Sequence, residues 1–289
     1  MGSGYIIYNG VKKDYSAFKA IVDDSLTVVT AEMLDGITSI TSYAFYQCAN
    51  LTTVNIPSGV TSIGEYAFGD CSSLESVTIP SSVRSIGGYV FNNCSALASV
   101  DISSGVTSIG NYAFSRCSSL TSVTIPSSVT SIGREAFYRC SSLASVNIPS
   151  SVTSIEVYTF YECTSLASVN IPSSVTSIGG YAFYDCTSLA SVNIQSGVTS
   201  IGTYAFYNCD SLASVTIPSS VTSIYESAFY HCSILTSVIV EATTPPTLGS
   251  TVFGYASANL VIYVPSESVE TYKTASGWST YASKIQAIP

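Results

Sequence analysis

The sequence predicts a solenoid of stacked coils, and three observations predict it. All nine cysteines, Cys48, Cys71, Cys94, Cys117, Cys140, Cys163, Cys186, Cys209 and Cys232, stand 23 residues apart. A Phe fills the slot three residues before each of them, from Phe45 to Phe229, and a Leu the slot three residues after, from Leu51 to Leu235. A period between about 20 and 50 residues marks supersecondary units that bury a continuous core only by stacking. The 289 residues therefore count coils of one elongated domain.

At the amino end, residues 5 to 36 break the pattern. Phe18, Ile21 and Val22 have helical spacing, while Leu26, Val29 and Ala31 resemble a strand run with two extra residues before Ile37. Residues 1–36 are expected to be a cap with a degenerate coil, ahead of a nine-coil array over 37–240. Met1 to Gly4 are set apart from the fold. No charged leader, apolar run and cleavage site precede Tyr5, so a secreted protein of this sequence is expected to have lost its signal.

One coil runs from Cys117 to Arg139. Leu120, Val123 and Ile125 form a short strand whose last two members point inward. Pro126 ends it, and six coils carry Pro there, the others Ser103, Gln195 and Glu241. Val129, Ile132 and Gly133 predict an extended corner and a turn. Ala136, Phe137 and Cys140 lie at i, i+1 and i+4, which predicts one helical turn facing inward. Burying six large apolar side chains does not offset the ordering of 23 backbone residues, so no coil folds alone.

The carboxy end departs again. Thr243, Thr244, Pro245 and Pro246 interrupt, Phe253 takes the Phe slot one residue late, and Leu260, Ile262 and Val264 alternate as a last strand. Val269, Tyr272, Trp278 and Tyr281 give the tail an amphipathic pattern. Residues 241–289 are expected to be a degenerate last coil and a cap, with Trp278 as a hydrophobic plug.

Nine cysteines admit a disulfide or metal reading, but a ladder of identical slots, about 4.8 Å apart, offers parallel Cβ vectors and no converging ligand set. Free thiols acting as small buried hydrophobes are expected. Lys and Arg number 9 against 18 Asp and Glu, a net charge of −9, which argues against nucleic acid. No run reaches the 18 or so apolar residues of a membrane span. The single His231 has no nucleophile partner, and no phosphate loop, zinc pattern, calcium loop or nucleophile elbow is present. No catalytic residue, metal or cofactor is expected.

The repeat Cys-x-x-Leu-x-x-Val-x-Ile-Pro-x-x-Val-x-x-Ile-Gly-x-x-Ala-Phe resembles the BspA-type (Treponema-type) leucine-rich repeat over residues 37 to 264. The tail Leu260 to Pro265, followed by Tyr272, Trp278 and Ile285, is similar to the end segment of bacterial members. The resemblance implies a leucine-rich repeat solenoid, α/β but mostly β. It would be a right-handed curved superhelix with a parallel sheet on the concave face, one-turn helices opposite and a cap at each end. It also implies a bacterial cell-surface or secreted protein with adhesin roles.

Two exposed surfaces are candidates for binding. If Val123 and its equivalents point in, the concave face carries Ser122, Thr124, Ser145, Asn147, Ser168, Asn170, Ser191 and Asn193, short hydroxyls and amides suited to many weak hydrogen bonds. An aromatic stripe is formed by Tyr158, Tyr181 and Tyr204 with Tyr161, Tyr184 and Tyr207, and Glu135 and Ser227 interrupt the first of these rows. Tyr joins an apolar body to a polar tip and suits protein and carbohydrate recognition, although it also covers the Phe layer. The expected function is a noncatalytic adhesin that holds an extracellular host or microbial protein or glycan by multivalent contacts, as a monomer, without nucleic acid or membrane insertion. The alternative is a structural or assembly spacer, or a virion fibre component, with no secretion signal.

Overall fold

The computed structural model describes residues 5–8, 11–14 and 26–289. The chain forms two compact units, Met1–Ser151 and Val152–Pro289, and each is a β-solenoid of 23-residue coils. In the first unit the strands Thr53–Val54, Ser76–Ile79, Ser99–Ile102, Ser122–Thr124 and Ser145–Asn147 follow one another in a parallel sheet. Register is one coil throughout: Val123 faces Val100 on one side and Val146 on the other. Val123 and Ile125 are buried while Ser122 and Thr124 are exposed, the alternation that a one-face-buried strand imposes.

The extended corner is itself a second parallel sheet. Strands of two residues, Ser62–Ile63, Ser85–Ile86, Ser108–Ile109 and Ser131–Ile132, pair coil to coil in the first unit. Ser154–Ile155, Ser177–Ile178, Ser200–Ile201, Ser223–Ile224 and Thr247–Leu248 do so in the second. Glycine follows seven of these nine strands, with Glu156 and Tyr225 after the other two; those glycines stand in close approach to the neighbouring coil and none has the positive φ of a reversal. A Cβ on Gly133 would lie 2.5 Å from the Asn111 backbone nitrogen. Proline at the end of the long strand also has a cost. Where Ser103, Gln195 and Glu241 stand in that slot, the N–H donates to Ile79, Ile171 and Ile217 one coil back at 3.0–3.1 Å, a bond the proline coils forgo.

The segment expected to make one helical turn does something else. From Gly110 to Cys117 the N–H groups of Ala113, Ser115 and Cys117 donate to carbonyls three residues back. Those of Tyr112, Phe114 and Arg116 donate to Arg134, Ala136 and Tyr138 in the next coil, at 3.0, 2.9 and 2.6 Å. Tyr112 and Arg116 hold φ of 58° and 61°. An α-helical turn aims its N–H groups along its own axis and leaves the neighbouring coil's buried carbonyls unpaired. Left-handed residues at both ends of the segment turn alternate N–H groups towards that coil instead. Left-handed backbone costs a non-glycine residue roughly 1–2 kcal/mol, and an unpaired buried carbonyl costs about 1–3 kcal/mol, so the ladder wins. The same two slots have positive φ from Tyr43 and Gln47 to Thr251 and Tyr255.

Inside, the side chains stack by kind. Phe45, Phe68, Phe91, Phe114 and Phe137 are fully buried, with successive ring centroids 5.1–5.5 Å apart and planes within 10°. Phe160, Phe183, Phe206, Phe229 and Phe253 repeat the column in the second unit. The nine cysteines are free and buried. They are more than small hydrophobes: the thiol of Cys140 lies 3.1 Å from the Phe114 carbonyl one coil back and donates to it, and Cys71, Cys94, Cys117, Cys186, Cys209 and Cys232 make the equivalent bond. Burial pushes the Cys140 and Cys232 thiols up to about 12.

At the amino end, Tyr5–Tyr8 and Val11–Asp14 pair antiparallel, and Val28–Val29 joins the long sheet beside Thr53–Val54. The helical spacing of Phe18, Ile21 and Val22 lies outside the described residues. At the carboxy end, Ile285–Ala287 adds a strand beside Val261–Val264. Trp278 is fully buried, donates its indole N–H to the Pro246 carbonyl at 2.8 Å, and meets Tyr272 edge-on at 4.9 Å. The Tyr272 hydroxyl donates to the Ala242 carbonyl at 2.7 Å. Phe253 has no further coil to receive its N–H, and it donates to the Tyr281 hydroxyl at 3.1 Å.

Two predictions follow from this core. Phe137→Ala removes a ring stacked on Phe114 and should cost about 3–5 kcal/mol, read from the urea midpoint; a loss below about 1 kcal/mol would show that the column is not tightly packed. The thiols should resist a disulfide-exchange reagent in the native state and react in denaturant. Because their folded values are raised, the folded chain keeps protons that the unfolded chain releases above its ordinary thiol value of about 8.5. Stability should be level below that pH and fall as pH rises towards 12, so an unfolding midpoint unchanged between pH 8 and pH 10.5 would contradict the assignment.

Candidate functional site

The outward face of the long sheet is built as the strand period requires. In the first unit Ser122 pairs in register with Ser145, and Thr124 with Asn147. In the second, Ser168 pairs with Ser191, and Asn170 with Asn193. All eight are exposed. Part of their hydrogen-bonding capacity is spent internally, since Asn193 donates from Nδ2 to Asn170 Oδ1 at 2.7 Å and Gln195 donates to the same oxygen at 3.2 Å. The face is weakly polar, with Asp101 as the acidic member of the first unit's row.

The tyrosines form true columns. Tyr158, Tyr181 and Tyr204 occupy the first left-handed residue of the turn segment, so the backbone ladder that aims each N–H at the next coil also sets the spacing of their rings. In the second unit Tyr158, Tyr181 and Tyr204 stack with centroids 4.8 and 5.0 Å apart. Beside them Tyr161, Tyr184, Tyr207 and Tyr230 stack at 4.8, 4.6 and 5.5 Å. The columns touch: Tyr204 meets Tyr207 at 5.5 Å with planes at 62°. The rings are half-buried, which means they cover the Phe layer and also present edges and hydroxyls to solvent. Burial, with the Asp185 charge beside it, pushes the Tyr184 hydroxyl up to about 12, so it remains a donor across the physiological range.

Between the columns, Tyr181, Tyr184, Tyr204, Tyr207 and Tyr230 wall a depression of about 480 Å³. In the first unit Tyr43, Tyr66, Tyr89 and Tyr112 stack at 5.0, 4.4 and 4.3 Å. Tyr112 donates to Glu135 Oε1 at 2.6 Å, and Arg134 pairs with the same oxygen at 3.0 Å. His231 is exposed, 3.8 Å from Asp210. Among the described residues no group of three or more His, Cys, Asp or Glu is placed to hold a metal ion.

The model for the BspA type leucine rich repeat region matches residues 38–167 and 153–275, in six copies. The chain belongs to the BspA-type leucine-rich repeat family. Solved structures agree. A leucine-rich repeat protein from Eubacterium ventriosum is similar at 30% identity and TM-score 0.52, over 83% of this chain and 66% of that one. The T. pallidum leucine rich repeat protein is similar at 28% and 0.50, over 65% and 78%. The pneumococcal vaccine antigen PcpA shares the fold at 18% identity and TM-score 0.51, over 90% of this chain and 76% of that one. No curated protein sequence matches.

This BspA-type array therefore keeps the sheet rows and the tyrosine columns where the repeat register puts them. Sequence reasoning did not find Glu226 and Thr251, which line the depression with Ser227. The signal was present, because Ser227 and Thr251 occupy the tyrosine slot of two successive coils. Alkaline titration followed at 295 nm should show tyrosine ionisation in the folded protein lagging that of the denatured chain, whose midpoint is near 10. Coincident curves would contradict the packing of the columns.

Proposed function

We propose that the protein is a noncatalytic adhesin, displayed on a bacterial surface or secreted, that binds host or microbial protein or glycan through repeated contacts. The reading rests first on the paired tyrosine columns of Val152–Pro289, which hold amphipathic rings half in solvent at spacings of 4.6–5.5 Å. Ring stacking fixes the tyrosines before any ligand arrives, so little rotamer entropy remains to be lost on binding. The exposed serine, threonine and asparagine rows add many equivalent hydrogen-bonding sites, and repetition multiplies weak contacts into avidity. Family membership supports the binding role and the bacterial surface setting. Among the described residues no helix is long and apolar enough to cross a membrane.

The test is binding of the whole chain to a panel of extracellular matrix proteins and immobilised glycans. Tyr161→Ala/Tyr184→Ala should weaken binding of at least one panel member by tenfold or more while leaving the fold intact by circular dichroism. Ser168→Lys/Ser191→Lys asks the same question of the sheet face. A chain that binds no panel member at high concentration would favour the spacer role instead.

A further inference from the structure

In each unit the column built on the left-handed slot stops before the unit does, and the two stops differ in a way that makes a site. The first unit's column stops where Glu135 replaces tyrosine. Its last ring, Tyr112, is covered by the chain's own side chains: the Arg134 guanidinium sits 5.9 Å from the ring centroid, held by Glu135, which also accepts from the Tyr112 hydroxyl. Four coils on, Glu226 and Ser227 take the places of Arg134 and Glu135. Among the described residues that line the depression there, none is a lysine or arginine. Ser227 is 4% exposed and its hydroxyl lies 2.8 Å from that of Thr251, the next residue in the slot. Tyr181 covers one face of Tyr204, and Tyr204, Ser227 and Thr251 all line the depression of about 480 Å³.

We propose that this depression is a saccharide site, taking one neutral pyranose unit of a glycan with its C–H face against the open face of Tyr204. The inference rests on the binding role proposed above and names a ligand class for one place in it. An aromatic face carries partial negative charge and attracts the weakly positive C–H groups of a sugar ring. The Glu226 carboxylate accepts from two sugar hydroxyls. The Ser227 and Thr251 hydroxyls share one hydrogen bond between them, so one O–H of the pair is left to donate. The volume falls within the ~300–1,000 Å³ typical of small-molecule sites. A carboxylate without a lining lysine or arginine disfavours acidic sugars. A proline ring would also stack on Tyr204 but has no donors for Glu226, leaving a desolvated carboxylate unpaired.

The experiment is ligand-observed NMR and calorimetry on the whole chain, using the methyl glycosides of galactose, glucose and N-acetylglucosamine. Methyl sialoside and a proline-rich peptide serve as alternatives. At least one neutral glycoside should bind with Kd on the order of 1 mM. Ser227→Tyr restores the ring found in most coils, and Glu226→Arg/Ser227→Glu rebuilds the cover seen on Tyr112. Each should weaken that glycoside at least tenfold without lowering the unfolding temperature. No neutral glycoside binding at about 50 mM, equal binding by both variants, or preference for the sialoside or the peptide would overturn the proposal. The broader role fails separately, if the wild-type chain binds nothing in the panel above.

Discussion

The axial ladder of backbone hydrogen bonds on the turn side is the constraint on which the rest of the structure depends. Strand pairing alone would tie coils together along the two sheets and leave the third side of each coil open. Within each unit the turn segment closes it by sending N–H groups to carbonyls of the next coil, as Tyr112, Phe114 and Arg116 do in the first and Tyr181, Phe183 and Asp185 in the second. That demands left-handed backbone at two non-glycine residues in every coil. The Phe and Tyr columns stack because this ladder brings equivalent slots to about one strand spacing. At the carboxy end the ladder closes on a side chain, since Phe253 donates to Tyr281. The buried Trp278 and Tyr272 hold that terminating segment against Pro246 and Ala242.

Much of this was legible in the sequence, because a repeat turns one coil's pattern into nine statements of it. Leu120, Val123, Ile125, Val129, Ile132, Phe137 and Cys140 were each read as interior from spacing, and each is buried. What spacing could not reveal is backbone handedness. Ala113, Phe114 and Cys117 satisfy the same helical spacing as Ala136, Phe137 and Cys140, yet the Phe114 N–H bond that decides the conformation runs to Ala136 in another coil, 22 residues away in the chain. The role of Gly133 was misread for a related reason, since a close approach between coils leaves no local mark.

The candidate site shows a different limit. Regular positions of a repeat identify the scaffold, and the outward rows followed from them directly. The depression, however, arises where the repeat lapses. Ser227 and Thr251 stand in a slot that favours tyrosine, and Glu226 stands where an arginine covers the equivalent ring in the first unit. A lapse in one slot of a stacked column removes a ring and uncovers its neighbour's face. In such an array local individuality comes from omissions, while the backbone stays the same from coil to coil.

Hydrogen exchange resolved by residue tests the ladder most directly. The account predicts that the amides of Phe68, Phe91 and Phe114, though in turns, exchange as slowly as those of Val77, Val100 and Val123 in the long sheet, because both sets donate to a neighbouring coil. The amides of Ala67, Val90 and Ala113, which at most close local turns, should exchange faster than the Phe amides. Exchange of the Phe amides at the rate of ordinary surface turns would contradict the claim that the third ladder holds the coils together.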